Sequence, residues 1–308
     1  MKRIIIRLII FILLCFLLDR AIGTIGAYFY SHARSGYTRH NYYIGHLMQE
    51  EIIILGSSRA ARHYNPTIIS DSTGSSCYNC GIDGMGIIHD FGKLQMIKAR
   101  YMPKMIVMDI TASFTLEQND NSKYITYLKL DYTQQPIKQI ISDLFPTERW
   151  KMFCQSYKFN SQWLKMVNDN IASTPPIPIN GYDPMYGVLP YNIVAPYIPE
   201  KKIIIDSVKL KYLQQTIETF HTLTQLVFII SPQYKAPNSE NYSILKRLCA
   251  EYDIPLLDFY AAPISQEKEL WADVSHMNKN GAEKYSAIIA GKLKQIISDS
   301  EKHSRIHQ

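Results

Sequence analysis

Five scattered cysteines in 308 residues are too few to staple a domain of this size with a disulfide framework. Glycine (14) and proline (15) are scarce as well, which excludes collagen-like and low-complexity chains, and no fixed-period repeat or heptad array is present. No phosphate-cradling loop occurs, because Gly81, Gly84 and Gly86 lack the spacing and the downstream ribose-binding acid of a dinucleotide site. Neither His63 nor the His89-Asp90 pair has neighbours at metal-ligand spacing, so no metal and no cofactor is expected. Charge of one sign is not concentrated either. The net charge of +6 comes in large part from the first twenty residues, where Lys2, Arg3, Arg7 and Arg20 face only Asp19. A nucleic-acid groove would show a concentrated basic stripe, so no nucleic-acid partner is expected, and the basic stretch Lys201–Lys211 reads as a solvated face. What is left, 46% hydrophobic and 19% charged residues, suits a chain folded around one or two cores.

The amino terminus is basic, then apolar, then polar. Leu8–Leu18 is an unbroken apolar run, and Ile4–Ile6 extends it across Arg7. Asp19-Arg20 follows where a cleavable signal peptide would want small residues. Residues 1–30 are therefore expected to form an uncleaved membrane anchor with a short juxtamembrane stretch. Lys2, Arg3 and Arg7 place its start in the cytoplasm, and the main domain outside it, on the inner or plasma membrane as a single-pass protein. Residues 31–50 read as a juxtamembrane linker, part of an irregular, Tyr-rich stretch over 21–50 with room for one helical segment, and 299–308 as a polar tail.

Between them, 51–298 alternates strand-like and helix-like segments. Glu51–Leu55, Cys77–Asn79, Pro103–Met108, residues 226–231 and Ile254–Phe259 carry short apolar, largely β-branched runs. Met85–Tyr101, about Lys202–Leu223, about Ser239–Tyr252 and Lys279–Ser298 carry helical spacing. That rhythm predicts an α/β domain with a central, mostly parallel sheet between helical layers. Residues 112–200 break it and are expected to form a helical insertion over the strand ends. Trp150, Tyr157, Trp163, Tyr182, Tyr186 and Tyr191 are candidates there for stacking on sugar rings or for packing the insertion's own core. Cys77 and Cys80 have redox spacing, but on a strand rather than at a helix start, which favours two buried thiols or one local disulfide.

Two short segments carry the chemistry. Leu55-Gly56-Ser57-Ser58-Arg59 closes the first strand, where glycine permits a sharp turn and a following serine can project its hydroxyl at the sheet edge. Asp273-Val274-Ser275-His276 precedes the last helix, and an Asp three residues before a His can bind its Nδ1–H and leave Nε2 free to take a proton from a serine. Asn278 or Asn280 is a candidate cap for that helix.

With these residues in view, the sequence resembles the SGNH (GDSL-like) hydrolase superfamily, and most of all its membrane-anchored, DltD-like branch. Gly56-Ser57-Ser58-Arg59 stands where the superfamily carries Gly-Asp-Ser-Leu, and Asp273-Val274-Ser275-His276 matches its terminal Asp-x-x-His block. Asn79-Cys80-Gly81-Ile82-Asp83-Gly84 is similar to its second block, Asn-x-Gly-x-x-Gly. The resemblance implies a flavodoxin-like three-layer α/β/α sandwich with Ser58 as nucleophile, His276 as general base and Asp273 as its orienter. It implies an oxyanion hole from the backbone N–H groups of Ser58 and Gly84. The third block, Gly-x-Asn-Asp, is missing: the sequence reads Met108-Asp109-Ile110-Thr111-Ala112-Ser113, which leaves Thr111 as the candidate third donor. The function implied is a serine esterase or acyltransferase acting on O-acyl groups, such as O-acetyl, of an envelope or extracellular carbohydrate through an acyl-Ser58 intermediate. The alternative is a non-catalytic scaffold that binds polysaccharide or serves a membrane acyltransferase partner.

Overall fold

Runs of buried, β-branched residues need shelter on both faces, and here they form the five strands of one parallel sheet. These are β1 (Ile52–Leu55), β2 (Cys77–Asn79), β3 (Met105–Asp109), β4 (Gln225–Ile230) and β5 (Leu256–Asp258), in the order β2-β1-β3-β4-β5. Ile52 pairs with Cys77 on one side and Met105 on the other; Val107 pairs with Val227, and Ile229 with Leu257. The computed structural model describes residues 1–171, 178–190, 202–236 and 240–306. Its helices are α1 (Lys2–Ser31), α2 (Gly36–His46), α3 (Ser58–His63), α4 (Pro66–Thr73), α5 (Ile87–Lys98) and α6 (Ala112–Thr115). There follow α7 (Gln135–Leu144), α8 (Pro146–Lys151), α9 (Trp163–Ile171), α10 (Pro178–Gly181), α11 (Ser207–Phe220), α12 (Ser243–Glu251) and α13 (Lys279–Ile306).

The chain divides into two compact units. The sheet unit comprises Gln49–Phe91, Arg100–Asp120 and Ile177–Gln308. One face of its sheet, through Ile52, Ile54, Met105, Val107, Val227 and Ile229, packs on Ile69 of α4 and on Tyr285, Ile289 and Leu293 of α13. The alternate residues Ile53, Ile106 and Phe228 are fully buried on the opposite face, where α11 packs on β4. The order β2-β1-β3 makes the carboxyl ends of β1 and β3 a topological switch point, the place where open α/β sheets form ligand crevices. Gly56 makes the turn out of β1 at φ +141°, and a Cβ there would lie 2.6 Å from the Asp109 carbonyl oxygen. Helix α11 begins at Ser207 rather than near Lys202 because Asp206 accepts from the Val208 N–H at 2.8 Å. The stretch expected as a solvated basic face contains one buried exception: Lys209 donates to the Glu117 carbonyl at 2.6 Å and to Asn119 Oδ1 at 3.0 Å. Lys201 lies outside the described residues.

The helical unit comprises Met1–Met48, Gly92–Ala99 and Asn121–Pro176. Tyr30, Leu130, Phe159 and Met166 form its core, with Phe29, Tyr42, Tyr127 and Trp163 packed around them. Within residues 21–50, expected as an irregular stretch with one helical segment, the second half of α1 and all of α2 are helical. The expected spanning anchor over residues 1–30 is also revised. No helix among the described residues is long and apolar enough to cross a membrane. The unbroken apolar run Leu8–Leu18 covers about 16 Å against a hydrocarbon core of about 30 Å. Past Leu18 the helix belongs to the folded unit: Gly23 lets it approach Gln155, and Gly26 lies against the Phe159 ring.

Candidate active site

The turn at Gly56 delivers Ser58 to the first position of α3, at the carboxyl edge of the sheet. Far along the chain, the loop before α13 folds back on itself, with Trp271 paired antiparallel to Met277 and the Ala272 N–H donating to the His276 carbonyl at 3.0 Å. This loop presents His276 to Ser58. The Ser58 Oγ lies 2.8 Å from His276 Nε2, and His276 Nδ1 lies 3.0 Å from Asp273 Oδ2. A ring nitrogen facing a carboxylate carries the proton, so Nε2 is the acceptor and the serine hydroxyl donates to it. Burial would raise the Asp273 carboxyl, but hydrogen bonds from the His276 ring and from the Ser275 and His276 N–H groups outweigh it and hold it down at about 2. The carboxylate therefore faces the imidazole as a fixed negative charge.

The supports of this chain of hydrogen bonds were partly hidden from sequence reading. His63, at the last position of α3, is fully buried and its Nε2 accepts the Met277 N–H at 3.0 Å. It ties the helix carrying Ser58 to the residue after His276. Burial and the neighbouring His276 and Arg59 push its pKa well down, so it stays a neutral acceptor. Nothing in the sequence around His63 shows that role, since its partner is 214 residues away. Asn278 accepts from the Gly281 N–H at 3.0 Å, capping α13, while its amide donates to Glu269 and Gly187 carbonyls.

The second block proves to be a clamp on α3. Asn79 donates to the Ala60 and Tyr64 carbonyls at 2.7 and 2.9 Å, and accepts from the Gly81 N–H at 2.9 Å. A Cβ at Gly81 would collide with the backbone of Ala61. Arg62 on α3 bridges Asp83 and, at 2.8 Å, Asp183, which fixes the loop bearing Gly84. Gly84 itself has φ +73° and open space where a Cβ would stand. Thr111 precedes α6 at the end of β3, and its Oγ1 is buried with no partner among the described residues. Beneath the site, Tyr64 and Ser231 hydroxyls meet on Asp109 Oδ2, and Arg59 is buried with its guanidinium on Gln233.

The other sequence candidates fall away from this chemistry. Cys77 and Cys80 are buried and form no disulfide, and burial pushes the Cys77 thiol far up, the opposite of a redox cysteine. No group of His, Cys, Asp and Glu among the described residues is arranged to hold a metal ion. Trp150, Tyr157 and Trp163 belong to the helical unit and Tyr182 and Tyr186 to the sheet unit; Tyr191 lies outside the described residues.

No protein-family model matches the chain, and no curated protein matches it. The solved structures that are remotely similar include these two. One, from Desulfitobacterium hafniense DCB-2, is described as a lipolytic protein of the G-D-S-L family; it is 9% identical, covers 78% of this chain and 98% of its own, and gives a TM-score of 0.38. The other, described as a platelet activating factor from Streptococcus pneumonia, is 12% identical, covers 91% of this chain and 95% of its own, and gives 0.40. Likeness at that level carries no argument about chemistry, and neither description mentions the DltD-like branch. The hydrogen-bonded series Ser58–His276–Asp273 stands on its own geometry.

Proposed function

We propose that the protein is a serine ester hydrolase of the SGNH type. One observation carries this reading: a serine hydroxyl 2.8 Å from an imidazole nitrogen whose other nitrogen is held by a carboxylate. In the proposed reaction Ser58 Oγ attacks an ester carbonyl while His276 Nε2 accepts its proton, and the imidazolium formed is stabilised by Asp273. The backbone N–H groups of Ser58 and Gly84 are assigned to the oxyanion, with Thr111 Oγ1 as the third donor where the superfamily's asparagine is missing. His276 then returns the proton to the leaving alcohol, and an acyl-Ser58 intermediate remains. Water completes hydrolysis; a sugar hydroxyl completes transfer. The substrate class we propose is an O-acylated carbohydrate of the cell envelope, and the bare apolar half of α1 is proposed to hold the protein at a membrane.

A second reading, a non-catalytic scaffold that binds polysaccharide or serves a membrane acyltransferase, is favoured by the absent third-block asparagine. The assembled serine, histidine and aspartate weigh against it. The two are separated by labelling the full chain with a serine-reactive phosphonate, beside p-nitrophenyl acetate hydrolysis. Labelling and turnover that both vanish in Ser58→Ala and His276→Ala support the enzyme. An unlabelled parent protein with no turnover supports the scaffold.

A further inference from the structure

Helix α1 changes character at Asp19. Before it, Ile4–Leu18 leave their apolar side chains exposed on every side of the helix, from Ile4 at 70% to Leu18 at 60%. After it, Gly23, Gly26 and Tyr30 are buried in the helical unit. The point of exit is held firmly. The Asp19 carboxylate accepts from the Gln155 and Ser156 N–H groups at 2.8 and 3.0 Å and from the Ser156 hydroxyl at 2.7 Å. Arg20 donates to the Phe153 carbonyl at 2.8 Å and lies over the Phe16 ring, 4.6 Å from its centre. Beside this exit, Trp150 and Phe153 stack at 5.8 Å, yet remain 68% and 64% exposed. Arg149 and Lys151, on α8, are exposed next to them.

We propose that Trp150, Phe153, Arg149 and Arg20 form a collar that seats the helical unit in the headgroup layer of a bilayer containing anionic lipid. The proposal rests on the membrane attachment given above, and it says which surface of the folded protein meets the lipid. Two features select lipid over a protein partner. A helix apolar all round would be covered on only one side by a protein groove, whereas hydrocarbon covers it on all sides. Tryptophan and arginine at the base of such a helix match the interface itself, where an amphipathic ring and a cation meet lipid phosphates.

The test uses the full chain diluted from detergent into vesicles of phosphatidylcholine and phosphatidylglycerol. Cys15 and Cys154 are the two exposed cysteines, so in a Cys154→Ser background an environment-sensitive dye goes to Cys15 on the bare half-helix. Trp150 emission is obtained as the difference between the parent and Trp150→Phe, because Trp163 and Trp271 contribute equally to both. The expected result is a blue-shifted dye together with a Trp150 component that is quenched more by bromines near the headgroup than by bromines near the acyl ends. Trp150→Ala with Phe153→Ala is expected to lower the vesicle partition coefficient roughly tenfold. A blue-shifted dye with an unquenched Trp150 component overturns the collar and leaves the attachment intact. A dye that stays in water overturns the attachment itself. A Trp150 blue shift that grows with protein concentration in detergent alone identifies a second copy as the occupant and also overturns the proposal.

Discussion

Each unit holds a histidine against an aspartate at hydrogen-bond distance, yet the two pairs do opposite things. In the sheet unit His276 and Asp273 are three residues apart, partly exposed, and the free ring nitrogen meets a serine hydroxyl. In the helical unit His46 Nε2 lies 2.8 Å from Asp131 Oδ1, and the same buried carboxylate also takes the Tyr30 hydroxyl at 2.9 Å and Lys93 Nζ at 2.7 Å. Asn41 donates to that Tyr30 hydroxyl at 2.6 Å. Burial would raise the Asp131 carboxyl, but Lys93 and His46 outweigh it and hold it below the usual range. Every position around Asp131 is filled, so it can fix the core of its unit and do nothing else. The Asp273 series ends in the Ser58 hydroxyl, which the proposed reaction spends on substrate. Chemistry here requires an incomplete network; stability requires a complete one.

The largest test of this contrast is removal of the nucleophile or its base. Ser58→Ala or His276→Ala is expected to lower kcat for p-nitrophenyl acetate by about 10^5- to 10^6-fold, whereas Asp131→Asn leaves kcat intact and lowers Tm. Loss of turnover in a folded Asp131 variant would erase the distinction. Next, Asp273→Asn should cost on the order of 10^4-fold in kcat by freeing the imidazole to adopt the wrong tautomer. For the filled network, Lys93→Met alone takes the ammonium from a buried carboxylate and leaves it only His46 and the Tyr30 hydroxyl, and should destabilise by roughly 3–5 kcal/mol in urea melts. The double variant Lys93→Met with Asp131→Leu should recover most of that loss, and failure to recover would show that the network does more than neutralise itself.

A smaller effect sharpens the role of His63. His63→Phe leaves the Met277 N–H unpaired and lets the His276 loop drift, with an expected fall of about 10- to 100-fold in kcat and little change in KM. His63→Gln, which keeps an acceptor, should restore part of it; equal losses in the two variants argue for packing alone. The smallest effect is a pH dependence. The folded Asp273 carboxyl, at about 2, lies below its ordinary value of 3.8. Its stabilisation is therefore present above about pH 4 and is lost as pH falls through about 2. The Tm deficit of Asp273→Asn at neutral pH should shrink below pH 4 and close near pH 2. A deficit constant across that range would assign it to something other than the carboxylate charge.

What could be read in advance followed range. The five strands were legible because buried parallel strands are short β-branched runs, and their bounds in the structure differ from the runs by a few residues. The Asp273–His276 pairing was legible because it is local. The His46–Asp131 pairing spans 85 residues and the His63–Met277 bond 214, and neither leaves a pattern in the chain. Helix α4 does carry signals: Asn65 caps it by accepting the Thr67 N–H at 3.0 Å, Pro66 opens it and Gly74 closes it at φ +74°. Its apolar content is too slight for periodicity to show it. Residues 112–200, expected as one insertion, are shared between the two units, because composition marks a change of rhythm without saying what the new segment packs against.

The sequence by itself determined the alternation of strands and helices, the glycine turn that sets Ser58 at a strand end and the aspartate that orients His276. Each of these depends on a few neighbouring residues and on backbone sterics or local hydrogen bonds. Only the tertiary structure decided that Ser58 and His276, 218 residues apart, meet at 2.8 Å, and that Asp131 is saturated. It also decided that α1 is bare along Ile4–Leu18 and docked beyond Asp19. Those outcomes depend on which distant surfaces bury one another, and burial is a property of the whole fold.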